Sequence, residues 1–218
     1  PSLSTGGLFS EPQSRFGTGT RWIICRMNLE DDLQPLLLTT DQLLDRGMTR
    51  YQVSRAVNSG ELFRIRPGFY VDSHARDLAI RDRHLLSVLA ADAALGGPVF
   101  SHSSAALIHG LPDWGLPLRR VAVSEEAPAP RSRTSALTIS RSVPDLSDEV
   151  MTVNGLKVTS PARTVTDLAM STTRDASVTV ADAALRGKMV TTASLEKSLT
   201  RAAGRRGLRR ARHSLSLV

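Results

Sequence analysis

Between Thr49 and Arg66 the sequence gathers side chains able to read nucleic acid. Thr49, Arg50, Tyr51, Gln52, Ser54, Arg55 and Asn58 fall within ten positions, and Arg64 and Arg66 follow shortly after. Arginine forks match phosphate oxygens or the guanine edge, while amide and hydroxyl side chains meet the remaining base edges. Spacing decides whether such groups share a surface. Val53, Ala56 and Val57 recur at i, i+3 and i+4, so the stretch is expected to be a helix with that stripe turned inward. Arg50, Gln52, Ser54 and Arg55 then point away from the core, with Tyr51 at the margin.

The flanking residues supply what such a helix needs. Thr49 stands three positions before Gln52, the reciprocal spacing of a capping box, and Met48 with Val53 fits a hydrophobic staple. Thr39 and Gln42 repeat the capping pattern one helix earlier, and Gly47 and Gly60 suit left-handed helix stops. Two short helices joined across Gly47-Met48 make a helix-turn-helix. Glu61-Leu-Phe-Arg-Ile-Arg66 then alternates with period two, Pro67-Gly68 fits the centre of a type II turn, and Phe69-Tyr-Val71 returns, which reads as a β-hairpin wing. Strict alternation places Arg64 and Arg66 on one face beside the turn.

Charge supports a local site and excludes a uniformly basic surface. The 218 residues carry a net +7 with pI near 10.6, and 25 of the 28 basic residues are arginine. Residues 27–75 sum to −2 and residues 201–218 to +6, so most of the excess is one arginine-rich tail. Within 49–71 the balance is +3, four arginines against Glu61, because most acidic residues of 27–75 lie earlier in the chain. A winged helix also serves as a protein-interaction module, with such arginines forming an ordinary solvated face; that alternative stays open.

No catalytic constellation accompanies these residues. Cys25 is the single cysteine, which excludes an intrachain disulfide or a multi-cysteine metal site. Lys157, Lys188 and Lys197 follow Gly155, Arg186 and Leu195 at two residues' distance, so the acid-x-lysine pair of a magnesium nuclease is missing. His102 and His109 are seven apart, about two helical turns, too far to chelate one metal without a third element. Ser101 beside His102 is chemically suggestive, but cap, packing or buried hydrogen-bond roles suit it better than nucleophilic catalysis. No catalytic residue, metal or cofactor is therefore expected.

The rest of the chain divides by composition. Residues 1–26, rich in Ser, Gly and Thr and beginning with Pro1, are expected to be a flexible leader or an over-extended reading frame; 27–75 form the winged helix-turn-helix. Residues 76–200 read as an α+β domain: a helix to about residue 95, strands near 121–124, 137–141 and 156–159, and three closing helical runs. Ser160 caps the first of these, Pro161 sits in its first turn, and Arg163 and Asp167 are spaced to pair along it. In 201–218 six arginines occupy twelve positions. A helix after Gly207 is expected to scatter them around its axis, which leaves nonspecific phosphate contact by Arg205, Arg206, Arg209, Arg210 and Arg212, or a solvated end. No apolar run is long enough to span a bilayer and no secretory signal opens the chain, so a cytoplasmic location away from membranes is expected.

The run LLLTTDQLLDRGMTRYQVSRAVNSGELFRIRPGFYVDS resembles the winged-helix domain of the AbiEi family, antitoxins and transcriptional regulators of type IV toxin–antitoxin systems. SHSSAALIHGLP at 101–112, SPARTVTDLA at 160–169 and ADAALRG at 181–187 are similar to later helices of the same family, and the likeness spans roughly Leu37 to His213. It places Ser101, His102, His109, Arg163 and Asp167 among structural residues of the antitoxin domain. The resemblance implies a repressor that binds operator inverted repeats, self-associates on double-stranded DNA and opposes its toxin without a stable complex. Many actinobacterial relatives continue into a nuclease-like domain, which this chain lacks before Val218. The expected architecture is α+β, an N-terminal winged helix-turn-helix followed by a larger mixed α/β antitoxin domain. The alternatives are the DNA-guiding portion of a nuclease-like protein and a protein-interaction adaptor.

Overall fold

A computed structural model describes Leu29 and residues 33–127, 131–144 and 146–218; the expectation for residues 1–26 lies outside them. Strand β1 (Leu38–Thr39) leads into helix α1 (Thr40–Asp45), and helix α2 (Arg50–Ser59) follows after a short turn. Both helices begin at complete capping boxes. The Gln42 N–H donates to Thr39 Oγ1 at 3.1 Å, and the Gln52 N–H donates to Thr49 Oγ1 at 3.2 Å, with both amide oxygens accepting in return from the cap N–H. Each box satisfies two backbone donors that a short helix otherwise leaves bare.

Strands β2 (Leu62–Arg66) and β3 (Phe69–Asp72) form the wing, and β1 completes a three-stranded antiparallel sheet ordered β1-β3-β2. The sheet is buried on both faces. Leu38, Leu62 and Tyr70 pack with Leu43, Val53 and Ala56 of the two helices. Phe63, Ile65, Phe69 and Val71 pack instead into the large core of the second domain. The expected boundary near residue 75 thus coincides with a 3₁₀ turn, Ser73–Arg76, but the hydrophobic interior runs continuously past it.

Helix α3 (Ile80–Leu95) spans the gap between the wing and a six-stranded mixed sheet ordered β6-β7-β5-β4-β9-β8. Its strands are β4 (Val99–Phe100), β5 (Val121–Glu126), β6 (Arg131–Thr134), β7 (Thr138–Val143), β8 (Val150–Val153) and β9 (Leu156–Thr159). Three of them match the expected strands; β4, β6 and β8 are additional, and each is short or largely polar. Helix α4 (His102–Ile108) follows β4, and α5 (Pro161–Ser171), α6 (Arg174–Arg186) and α7 (Thr192–Arg201) follow β9. Ser160 caps α5 with Pro161 in its first turn, as the sequence predicts.

The last element corrects an expectation. Residues 201–218 are not a solvated tail: helix α8 (Leu208–Leu215) packs against α5, and Ala202, Ala211 and Ser214 are buried. Its inward stripe of Leu208, Ala211, Ser214 and Leu215 contains two small residues, so hydrophobicity alone understates it. Gly207 enters the helix at φ 91°, where a side chain would strike the Met170 carbonyl. The Arg210 guanidinium donates to that same carbonyl, one of the acceptors left open at the end of α5.

Removing residues 207–218 should therefore cost stability rather than only flatten the salt dependence of DNA binding. Exposure of Ala169, Met170 and Leu199, which α8 covers, corresponds to about 3–5 kcal/mol, or roughly 10 °C in Tm at this chain length. A melting curve of the truncated chain coinciding with that of the full chain would contradict the packing of α8.

Candidate nucleic-acid interface

Helix α2 lies across one face of the wing sheet, and a groove of about 340 Å³ runs between them. Arg50, Ser54 and Asn58, spaced one turn apart, form one wall; Arg64 and Tyr70 form the other. Tyr51 is 76% exposed, and Gln52 and Arg55 are also on the surface. Among the described residues Arg50, Arg55 and Arg64 make no ion pair, so three guanidinium groups face solvent with full bonding capacity. Thr49 has a different duty. Its hydroxyl donates to Gln52 Oε1 at 3.0 Å while accepting the Gln52 N–H, so it is committed to the helix cap. Gln52 keeps only its amide NH₂ for another partner.

Arg66 departs from the expected pattern. The β2–β3 register shifts between Arg64 and Arg66, a β-bulge that breaks the alternation on which a shared face depended. Arg64 opposes Tyr70 on the helix side, whereas Arg66 turns to the second domain and its guanidinium donates to the Thr138 hydroxyl on β7. Partial burial lowers the pKa of Arg66. This arginine anchors the wing tip, and the free basic set is Arg50, Arg55 and Arg64.

The second domain buries one cluster of charges. Arg163 donates from Nε to Asp167 Oδ2 at 2.9 Å and from Nη1 to Glu149, while Arg205 donates from Nη2 to Asp167 Oδ1 at 3.0 Å. Asp167 is fully buried and Arg163 is 4% exposed. Burial opposes ionisation of Asp167, but His102 and the adjoining Arg163 and Arg205 guanidinium groups prevail and hold its pKa below the usual carboxylate range. For Arg163, burial is likewise outweighed by Asp167 and Glu149, and its pKa is raised. The spacing of Arg163 and Asp167 foretold their pairing; Glu149 and Arg205 are too distant in sequence for periodicity to find them.

Histidine packing completes the picture. His102 adopts φ 50° and its Nδ1 lies 3.0 Å from Ser101 Oγ; burial, with Arg141, Arg205 and Arg163 adding to it against Asp167, lowers its pKa to about 4. His109 donates from Nε2 to the Thr159 carbonyl at 2.7 Å, joining α4 to β9. His84, which no sequence pattern singled out, donates from Nδ1 to the Leu118 carbonyl at 2.8 Å; its Nε2 lies 2.9 Å from Ser104 Oγ, which itself accepts the Ala122 N–H. Burial lowers the pKa of His84 and of His109, each opposed by its backbone hydrogen bond. Among the described residues no cluster of three His, Cys, Asp or Glu side chains has metal-binding geometry, and no helix is long and apolar enough to cross a membrane.

Of the tail arginines, Arg205 is half-buried on Asp167 and Arg210, though exposed, donates to the Met170 carbonyl, while Arg206, Arg209 and Arg212 are exposed. A winged helix with an unpaired basic face, built onto a larger mixed domain, has the layout of a transcriptional regulator. Two family models agree with that layout. Residues 31–71 match the family described as a transcriptional regulator, AbiEi antitoxin, and residues 99–217 match the AbiEi antitoxin C-terminal domain. This chain belongs to the AbiEi antitoxin family. Among solved structures it is similar to the RV2827C protein from Mycobacterium tuberculosis, at 21% identity over 86% of this chain and 73% of that chain, with a TM-score of 0.49. No curated protein matches it.

The histidines set an acid response. His102 is neutral in the fold with a pKa near 4 against an ordinary 6.5, so the unfolded chain binds the proton first as pH falls. Its contribution to stability is complete above about pH 6.5 and is lost progressively toward pH 4. In urea unfolding across that window, His102→Asn should show a shallower loss of stability than the parent, with His84 and His109 accounting for the remainder. Equal slopes would place His102 in a solvated environment.

Proposed function

We propose that this AbiEi-family regulator represses its own promoter by reading operator inverted repeats through α2, and serves as the antitoxin of a type IV system. The observation that carries the reading is the convergence of Arg50, Ser54, Asn58 and Arg64 on one open groove whose arginines make no ion pair among the described residues. In this arrangement α2 enters the major groove, where Arg50, Ser54, Arg55 and Asn58 meet base edges and Tyr51 and Gln52 border them. Arg64 meets the backbone, and Thr49 fixes the helix start. Arg206, Arg209 and Arg212 add phosphate contact without regard to sequence.

One short helix reads few base pairs, so two copies on a repeat give the necessary specificity. The second domain carries the antitoxin activity, and the toxin is opposed without a stable complex. No step of this reading requires a catalytic group, a metal or a cofactor.

Footprinting on the chain's own promoter tests the proposal. The parent should protect an inverted repeat, and Arg50→Ala with Arg55→Ala should erase the preference for it, at about 1–3 kcal/mol per lost base contact. Absence of any protected region would sink the operator reading. A separate variant with Arg206, Arg209 and Arg212 changed to Gln should keep the footprint while the slope of log affinity against log salt falls by about 2–3. An unchanged slope would show that these three arginines never approach the duplex.

A further inference from the structure

Helix α2 buries Val53 and Ala56, and every other residue from Arg50 to Ser59 except the half-buried Val57 is exposed. Tyr51 comes two residues before Val53. A turn of about 100° per residue sets its side chain about 160° from Val53, on the crest of the helix, with Arg55 one turn further along the same ridge. The ring is 76% exposed, more than any other large hydrophobic side chain among the described residues. Neither core that packs on the wing includes it, whereas Tyr70, the other tyrosine of the chain, packs into the core beneath α2.

A single exposed ring on a surface needs no partner. The crest of a helix that enters a groove is different, because whatever stands there is brought against the floor of base edges while the flanks meet the phosphate walls. Base-pair edges in the major groove carry hydrogen-bonding atoms and one apolar group, the C5 methyl of thymine. An A·T pair can also be gripped through adenine by a side-chain amide using its oxygen and NH₂ together. Gln52 cannot do so, since its Oε1 accepts from the Thr49 N–H at 2.7 Å and from the Thr49 hydroxyl at 3.0 Å. The neighbouring ring is left as the group at the helix start suited to that pair.

We propose that Tyr51 is a specificity-determining residue that reads thymine, its ring covering a C5 methyl in each half-site while Arg50, Ser54, Arg55 and Asn58 supply the hydrogen bonds around it. This rests on the operator reading, in which α2 enters the major groove, and adds to it the base that the crest selects. The ring recognises a methyl group, so the contact survives loss of the phenol oxygen and fails without the methyl.

The test uses two fragments of the chain's own promoter, one containing thymidine and one with deoxyuridine at every thymidine position, which keeps all base pairing and removes only the methyl groups. Titration of the full chain should show weaker binding to the deoxyuridine fragment by about fourfold for each half-site, the worth of one buried methyl group. Tyr51→Ala should bind the thymidine fragment about as the parent binds the deoxyuridine one, and should no longer distinguish the two. Tyr51→Phe should keep the preference. Both variants should melt with the parent, because the side chain is exposed. Equal binding of the two fragments by the parent overturns the proposal without recourse to any variant. An undiminished preference in Tyr51→Ala, loss of all binding in that variant, or loss of the preference in Tyr51→Phe also overturns it. A footprint on the thymidine fragment that is indifferent to the methyl groups defeats the role of Tyr51 alone, whereas absence of any footprint defeats the operator reading beneath it.

Discussion

Asp167 is the carboxylate around which the second domain closes. Two arginines from different parts of the chain share it, Arg163 from its own helix and Arg205 from the segment before α8. Arg163 passes the connection on to Glu149, at the start of β8. One buried negative charge thereby ties helix, sheet edge and C-terminal segment together. Removing one partner of such a group leaves the others uncompensated in a dry environment, which is why these contacts stand or fall as a set.

Short-range signals were the legible ones. Both capping boxes, the left-handed stop at Gly60, the Pro67-Gly68 turn and the Ser160-Pro161 helix start depend on residues a few positions apart, and each appears where the sequence places it. The second domain yielded less, because its contacts cross long stretches of chain. His84 meets Leu118 and Ser104, which lie 34 and 20 positions away, and no local period announces such a pair.

Two departures have definite physical causes. Alternation predicts a shared face for Arg64 and Arg66 only while the strand keeps its register; the bulge between them sends the second arginine to Thr138. In the C-terminal segment six arginines masked an inward stripe that depends on Ala211 and Ser214, small residues that pack closely without being strongly apolar. The groove of α2 shows the converse. The types and spacing of Arg50, Ser54 and Asn58 were sufficient to bring them together, because one helix carries all three.

The wing sheet is filled on one side by α2 and on the other by the large domain, so among the described residues the two are joined through packed side chains. Arg66 fastens the tip as well. The direction in which α2 points is consequently set by the body of the protein, as a key's teeth are set by its shank. If two copies seat on one duplex as proposed, the separation and helical phase of the half-sites would be dictated by protein geometry, and lengthening the spacer by half a turn could not be absorbed by a flexible tether.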